Sequence, residues 1–304
     1  MKQVVLITGA KGMLAKNLAK HLEKDYSIRF LTRNKTRNNE YVWDINSNYI
    51  DPNALIGVHH IIHLAGTPIA TKRWTNKRKK NILTSRVKSA ELILQELKKL
   101  SINISSFISA SAIGYYSSNT TEKILDENAP KGNDFLSDVC FKWELAAEAF
   151  KSKGVANRIA IIRIGIILVK NNGVLHKIMR PIKYGLGSSL GNGKQYTPWI
   201  HINDLVRLFK FILDDKTIHG TFNGVSSIHI TNSELTKTIA KRLNRPIILP
   251  NIPKSIIKLF FGERSTILLN GCKISSQKIL DAGFRFEYDN INSALNNLLV
   301  DTNV

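Results

Sequence analysis

Residues 4–15, VVLITGAKGMLA, decide the fold class. An apolar run breaks into a glycine turn and continues into helix formers, the pattern of a strand, a tight turn and a helix whose first N–H groups face outward. Gly9 lets the chain turn sharply after the strand, Gly12 removes a Cβ where backbone would meet a phosphate, and small Ala15 lets the helix pack close to the strand. Taken alone, such glycines read equally well as an ordinary strand-to-helix turn. The neighbours decide: residues 17–24 continue as helix, SIRFLT (27–32) is a second strand, and Arg33 follows it directly. In a βαβ unit of this kind an acidic side chain at that place holds the ribose of NAD, whereas an arginine accepts a 2′-phosphate. Arg33 therefore points to NADP(H), with Gly9, Lys11, Gly12, Met13 and Leu14 as the turn that faces the cofactor.

The chain has 304 residues, enough for a large domain or a main domain with a smaller lobe. No stretch reaches the length of a membrane span and the first strand starts close to Met1, so neither a membrane partner nor a leader peptide is expected, and the expected location is cytoplasmic. Cys140 and Cys272 are too few for a disulfide framework and lack metal-site spacing, so both are expected as reduced thiols with no metal. The formal net charge of +21 would steer polyanions. Its cations are scattered, with only a short cluster at 72–80, and Lys, Asn and Ile are abundant together as AT-rich codon usage produces. With no helix-turn-helix, zinc or RNA-binding signature, the reading goes against a nucleic-acid partner.

Strands and helices alternate through the first half: a strand at 59–64, a long amphipathic helix at 77–100, a strand at 104–111 and a helix at 135–153. RIAIIRIGIILV (158–169) reads as one continuous strand buried on both faces. Beyond it glycines cluster at 185–193, a helix follows at 203–213, and Pro246, Pro250 and Pro253 punctuate shorter segments. The expected architecture is α/β, a Rossmann-like doubly wound parallel sheet over 1–170 that binds NADP(H). A smaller C-terminal α/β substrate lobe is expected over 171–304, with some return to the main sheet.

Several separated segments now agree: TGAKGMLA (8–15), LTRN (31–34), HLAGTPIATKRW (63–74), TSR (84–86), SAIGYY (111–116), VCFKWE (139–144), RIGIIL (163–168), GNGKQYTPWIHINDL (191–205) and FNGVS (222–226). In these the chain resembles the extended short-chain dehydrogenase/reductase superfamily, its NAD-dependent epimerase/dehydratase group. Within that group it is similar to the atypical YfcH-like epimerase branch, to which human short-chain reductase member 39U also belongs. The resemblance covers nearly the full length, and GERSTILLNGCKISSQKILDAGF (262–284) looks like that branch's own C-terminal extension. It implies NADP(H) at the carboxyl ends of the parallel strands. Thr32 and Arg33 match the 2′-phosphate position, Leu64, Ala65 and Gly66 a backbone path beside the adenosine ribose, Arg86 a helix residue aimed at the cofactor, and Ile166 a loop facing the nicotinamide. Asp44 reads either as an acceptor for the adenine amino group or as a solvated loop carboxylate.

An ordinary member of the superfamily uses a Tyr, a Lys four residues later and a Ser: the phenol transfers a proton, the ammonium lowers its pKa and the hydroxyl orients the substrate oxygen. Here Ser111 matches the serine, but Cys140 stands for the Tyr and Glu144 for the Lys. At i and i+4 the last two share a helix face, and a carboxylate beside a thiol raises its pKa. Cys140 reads as a packing residue, a weak donor to substrate or a redox-sensitive thiol. Tyr115 and Tyr116 offer another phenol near Ser111, and His201 another imidazole, each with a structural alternative. Lys72, Arg73, Arg180 and Lys194 read as binders of an anionic group on a small-molecule substrate or as solvated surface, and Trp74 and Trp199 as pocket lining or packing. Two functions follow from the resemblance. One is an NADP(H)-dependent oxidoreductase or epimerase acting on a small, nucleotide-sugar-like compound, with Ser111 orienting the reacting oxygen. The other is a catalytically weak NADPH-binding regulator, for example linked to cell division.

Overall fold

The computed structural model describes residues 2–116 and 122–299. The chain begins β1 (Val4–Thr8), α1 (Met13–Leu22), β2 (Ser27–Thr32), β3 (Glu40–Asp44), β4 (Tyr49–Ile50), β5 (His60–His63), α2 (Asn76–Lys99), β6 (Ile104–Ala112) and β7 (Ile124–Leu125). It continues with α3 (Phe135–Ser152), β8 (Ala156–Ile164), β9 (Ile166–Leu168), α4 (Gly173–Lys183), β10 (Trp199–His201), α5 (Ile202–Asp214), β11 (Gly220–Gly224) and α6 (Asn232–Arg242). The last elements are α7 (Lys254–Phe261), α8 (Thr266–Leu269), β12 (Lys273–Ile274), α9 (Gln277–Asp281) and α10 (Ile291–Leu299).

Eight strands form one sheet in the order β11-β8-β6-β5-β1-β2-β3-β4. β1 is parallel to both neighbours, Val4–Thr8 against Ser27–Leu31 on one side and Val5–Ile7 against His60–Ile62 on the other. The order of crossovers therefore reverses between β1 and β5, and ligands of doubly wound sheets bind at that point, outside the carboxyl ends of the strands. The helices follow from their patterns. In α1, Ala15, Leu18 and Leu22 recur at helical spacing and are buried, while α2 is capped by Thr75, whose side chain accepts the Arg78 N–H. Phe107 of β6 stacks on Phe150 of α3 with centroids 3.7 Å apart, inside a core that also holds Leu6, Ile61 and Ile161.

The described residues divide into two compact units. Of the described residues, the first draws on 2–115, 135–163 and 206–222, the second on 116, 122–134, 164–205 and 223–299. The units interleave along the chain: β11 adds to the far edge of the main sheet late in the chain, as the expected return to that sheet has it, and the 122–134 segment supplies β7 as partner to β12. RIAIIRIGIILV also departs from the expected single strand. It breaks at Gly165 into β8 and β9, and β9 pairs with β10 in a separate two-stranded sheet. The Gly165 N–H donates to Gly224 O at 3.1 Å and the next N–H, of Ile166, donates to Pro198 O at 2.8 Å. A Cβ on Gly165 would lie 2.8 Å from that same proline oxygen, so only glycine lets the strand change partner here.

Candidate functional site

The glycine turn is built as its spacing predicts. Gly9 has φ +76°, a left-handed conformation natural to glycine, and a Cβ there would come within 3.1 Å of the Leu64 carbonyl oxygen. Gly12 is extended, donates its N–H to Gly9 O at 2.8 Å, and leaves no room beyond 3.0 Å for a Cβ against that oxygen. It is also the N-cap of α1 and offers no side-chain bond to the helix, so the first-turn N–H groups of Met13 and Leu14 are not capped by a side chain. Lys11 and Gly12 are exposed there. The residues fit a dinucleotide pyrophosphate: a helix N-terminus without a side-chain cap, reached through a turn that a larger residue would fill.

Behind the turn lies a buried polar network. Thr8 Oγ1 accepts the N–H groups of Leu64 and Ala65, both at 2.9 Å, and faces His63 Nδ1 at 3.1 Å. With two donors already on that oxygen, its own proton goes to Nδ1, which assigns the imidazole proton to Nε2. Nε2 faces Ser89 Oγ at 3.2 Å and the Arg86 carbonyl at 3.4 Å. Burial pushes the His63 pKa down to about 4, so the ring is neutral. Arg86 extends over the same loop: its guanidinium donates to the Thr67 and Ile82 carbonyls at 3.1 and 2.9 Å and would be 2.9 Å from a Cβ on Gly66. The 64–66 backbone is thus held from below by Thr8 and flanked by a cation. Thr32 is buried, with its hydroxyl donating to Asn34 O, and Arg33 beyond it is exposed.

Helix α3 carries a different arrangement. Arg163 of β8 grips Glu144 in a two-pronged ion pair, Nε to Oε1 at 2.9 Å and Nη2 to Oε2 at 2.8 Å, with both side chains buried. Ser111 Oγ donates its proton to Glu144 Oε1 at 2.6 Å. The Arg163 guanidinium also stacks on Tyr115, 3.4 Å from the ring centroid. Burial first, then the Glu144 carboxylate, pushes the Cys140 thiol up to about 12. Ser111, Cys140 and Glu144 therefore do come together, but as a satisfied network: the serine's proton is committed to the carboxylate, the carboxylate to the arginine, and the thiol stays protonated.

The other expected residues lie as follows. Tyr116 is buried and donates to Asn223 Oδ1 at 2.7 Å. His201 is buried against Tyr288, centroids 4.0 Å apart, with Nδ1 accepting the Asn203 N–H and burial holding its pKa down to about 4. Asp44 accepts from the Asn46 N–H and the Ser47 hydroxyl, which hold its pKa below the usual range. Trp74 donates to Ile69 O and packs edge-on against Phe135, and Trp199 is buried. Lys72, Arg73, Arg180 and Lys194 are exposed, and Ile166 opens β9 in the second unit. Among the described residues no group of three or more His, Cys, Asp or Glu side chains is placed to hold a metal ion.

Thr8, His63 and Arg163 were not among the expected site residues. Each left a sequence signal, a polar or charged residue beside the apolar run of its strand, which has to find a partner once buried.

Residues 5–223 match the family model of the NAD dependent epimerase/dehydratase family, and residues 252–298 match a domain of unknown function, DUF1731. The epimerase family protein Mb2239 of Mycobacterium bovis is 32% identical over 296 residues, covering 96% of each chain. A crystal structure of the human epimerase family protein SDR39U1 (isoform 2) with NADPH is similar with a TM-score of 0.86 and 25% identity, over 98% of this chain and 100% of that one. A nucleoside-diphosphate sugar epimerase from Corynebacterium glutamicum is similar with a TM-score of 0.80 and 25% identity, over 98% of this chain and 58% of the longer one.

Proposed function

The chain belongs to the NAD dependent epimerase/dehydratase family, and from that membership we propose that it binds NADP(H) and acts as an oxidoreductase or epimerase on a small nucleotide-sugar-like compound. The observation that carries the proposal is the turn between β1 and α1, in which Gly9 and Gly12 leave the helix N-terminus without a side-chain cap. Met13 and Leu14 would receive the pyrophosphate on their N–H groups, and the exposed Arg33 would take the 2′-phosphate in a charge-assisted bond. Leu64, Ala65 and Gly66 would present backbone fixed in advance by Thr8, and Arg86 a cation beside it. The bound dinucleotide would supply the hydride donor or acceptor. The NADPH in the human relative and the sugar-nucleotide name of the Corynebacterium relative support this reading.

On the protein side, Ser111 would orient a substrate hydroxyl by accepting its hydrogen bond, since its own proton already lies on Glu144. Helix α3 would contribute position rather than proton transfer, because Cys140 stays protonated at neutral pH and Glu144 is engaged by Arg163. That same ion pair favours the second reading, a catalytically weak NADPH-binding regulator. Calorimetric titration of NADPH into wild type and Gly12→Val tests the proposal at its base: the variant is expected to stay folded by circular dichroism and to lose affinity by at least about tenfold. Unchanged affinity would reduce the turn to a structural connection. NADPH oxidation across a panel of nucleotide-sugar and carbonyl compounds then separates the two readings.

A further inference from the structure

The second unit displays bulky apolar side chains in solvent. Ile248, Tyr184, Leu259 and Phe260 are 72–77% exposed, and Leu186 and Ile256 accompany them. More than half of the exposed large apolar side chains among the described residues fall in just two segments, 184–186 and 248–261. The segments are neighbours in space. The Gly191 N–H donates to Ile252 O and the Ile252 N–H to Ser189 O, each at 2.9 Å, and Ser188 Oγ donates to Pro250 O at 2.5 Å. Helix α7 follows at once and buries a single side chain, Ile257, while Ile256, Leu259 and Phe260 line its solvent side at i, i+3 and i+4. A helix of this kind gains little from the body of its own unit, and an apolar surface of this extent marks an interaction site.

The charge of the surroundings says what the partner is. Residues 173–203 and 242–262 contain no aspartate or glutamate, yet carry Arg180, Lys183, Arg245, Lys254 and Lys258, all exposed. A second copy of the chain would bring cations against cations, in a protein of net charge +21. A nucleic acid would engage the cations but leave Leu259, Phe260 and Ile248 without a role. An anionic bilayer satisfies both features: apolar side chains enter the boundary between headgroups and acyl chains while lysine and arginine stay with the phosphates. No helix among the described residues is long and apolar enough to cross a membrane, so the contact lies on the surface. We propose that this face of the second unit, α7 with the 184–191 and 247–252 segments, docks on anionic lipid headgroups.

Co-sedimentation of the full chain with phosphatidylcholine vesicles, with and without phosphatidylglycerol, tests the proposal. Wild type is expected to bind only the anionic vesicles, less as salt rises. The charge-neutral double variant Leu259→Gln/Phe260→Gln is expected to bind at least about tenfold more weakly, because apolar area and charge act together. A control at exposed apolar positions of the first unit, Tyr49→Gln/Ile56→Gln, keeps the overall charge and is expected to bind as wild type. Undiminished binding by the α7 variant would reduce the effect to net charge and overturn the assignment. So would equal binding to neutral vesicles, or no vesicle binding together with a dimer, seen by light scattering, that the same variant dissociates. Preferential capture of single-stranded RNA over anionic vesicles, weakened by the same variant, would give the face to a nucleic acid instead.

Discussion

The β1–α1 turn and the face of α3 lie in the same unit and follow opposite logics. At the turn, the geometry depends on what is missing: no Cβ at Gly9 or Gly12, and no side chain capping α1. On α3 it depends on which side chains are present: Cys140 is a protonated thiol and Glu144 an engaged carboxylate. Open backbone at the turn and a closed side-chain network on α3 can therefore be disturbed separately.

The most disruptive way to break the comparison is at Arg163. Arg163→Ala would strand the Glu144 carboxylate in a buried site, and removing one partner of such a pair costs about 3–5 kcal/mol. Urea unfolding is expected to show that loss, and Arg163→Met with Glu144→Leu to recover most of it. A cost under about 1 kcal/mol, the scale of a solvated pair, would leave Glu144 free for chemistry after all.

Acid probes the network beneath the turn. The native His63 stays neutral down to about pH 4, whereas an unfolded imidazole protonates near 6.5. Between those values the unfolded state binds more protons, so stability rises with pH and is lost on acidification from 6.5 towards 4. At full span this is about 3 kcal/mol for one histidine, and His201 is shifted in the same direction. Carboxylates with lowered pKa, such as Asp44, act only below the ordinary carboxylate range, which leaves the upper part of the window to the histidines. A Tm series from neutral pH downward is expected to fall in that window, and less steeply in His63→Gln. A Tm that stays flat until the carboxylates titrate would contradict a neutral, buried His63.

Arg33→Ala sharpens the turn's side. Loss of one charge-assisted bond, about 1.5–3 kcal/mol, is expected to weaken NADPH by roughly ten- to hundredfold and leave NADH unchanged. Equal weakening of both cofactors would remove the 2′-phosphate assignment.

The smallest effect is expected at Cys140. Cys140→Ser should leave NADPH affinity and any turnover within about threefold of wild type, and the native thiol should resist iodoacetamide until the protein unfolds. A loss of roughly a hundredfold, the scale of a missing acid-base group, would make the thiol catalytic.

Much of this molecule was legible along the chain. The β1–α1–β2 unit, the long helix α2 and the strand β6 follow from the periodicity of their own residues, and the glycine turn from spacing within a single βαβ unit. These are local properties of backbone and pattern, so neighbouring residues suffice to specify them. Less legible was anything that needed a partner far along the chain. Apart from its two arginines RIAIIRIGIILV is apolar, and nothing in such a run says that Gly165 hands it from one sheet to another. The two arginines inside it signalled only that something must satisfy them. Arg158 takes the Ile212 carbonyl near the end of α5 and the Ile218 carbonyl in the loop beyond it, while Arg163 takes Glu144.

The sequence by itself thus determined a glycine turn between strand and helix and, through the family resemblance, a helix face with Cys140 and Glu144 where a tyrosine and a lysine are usual. Only the tertiary structure decided that this face is internally satisfied, with Ser111 already donating, Glu144 already paired and Cys140 held as a thiol. Hydrogen bonding and ionisation depend on distance and burial between residues brought together by folding, and neither quantity is written in the order of residues along one helix.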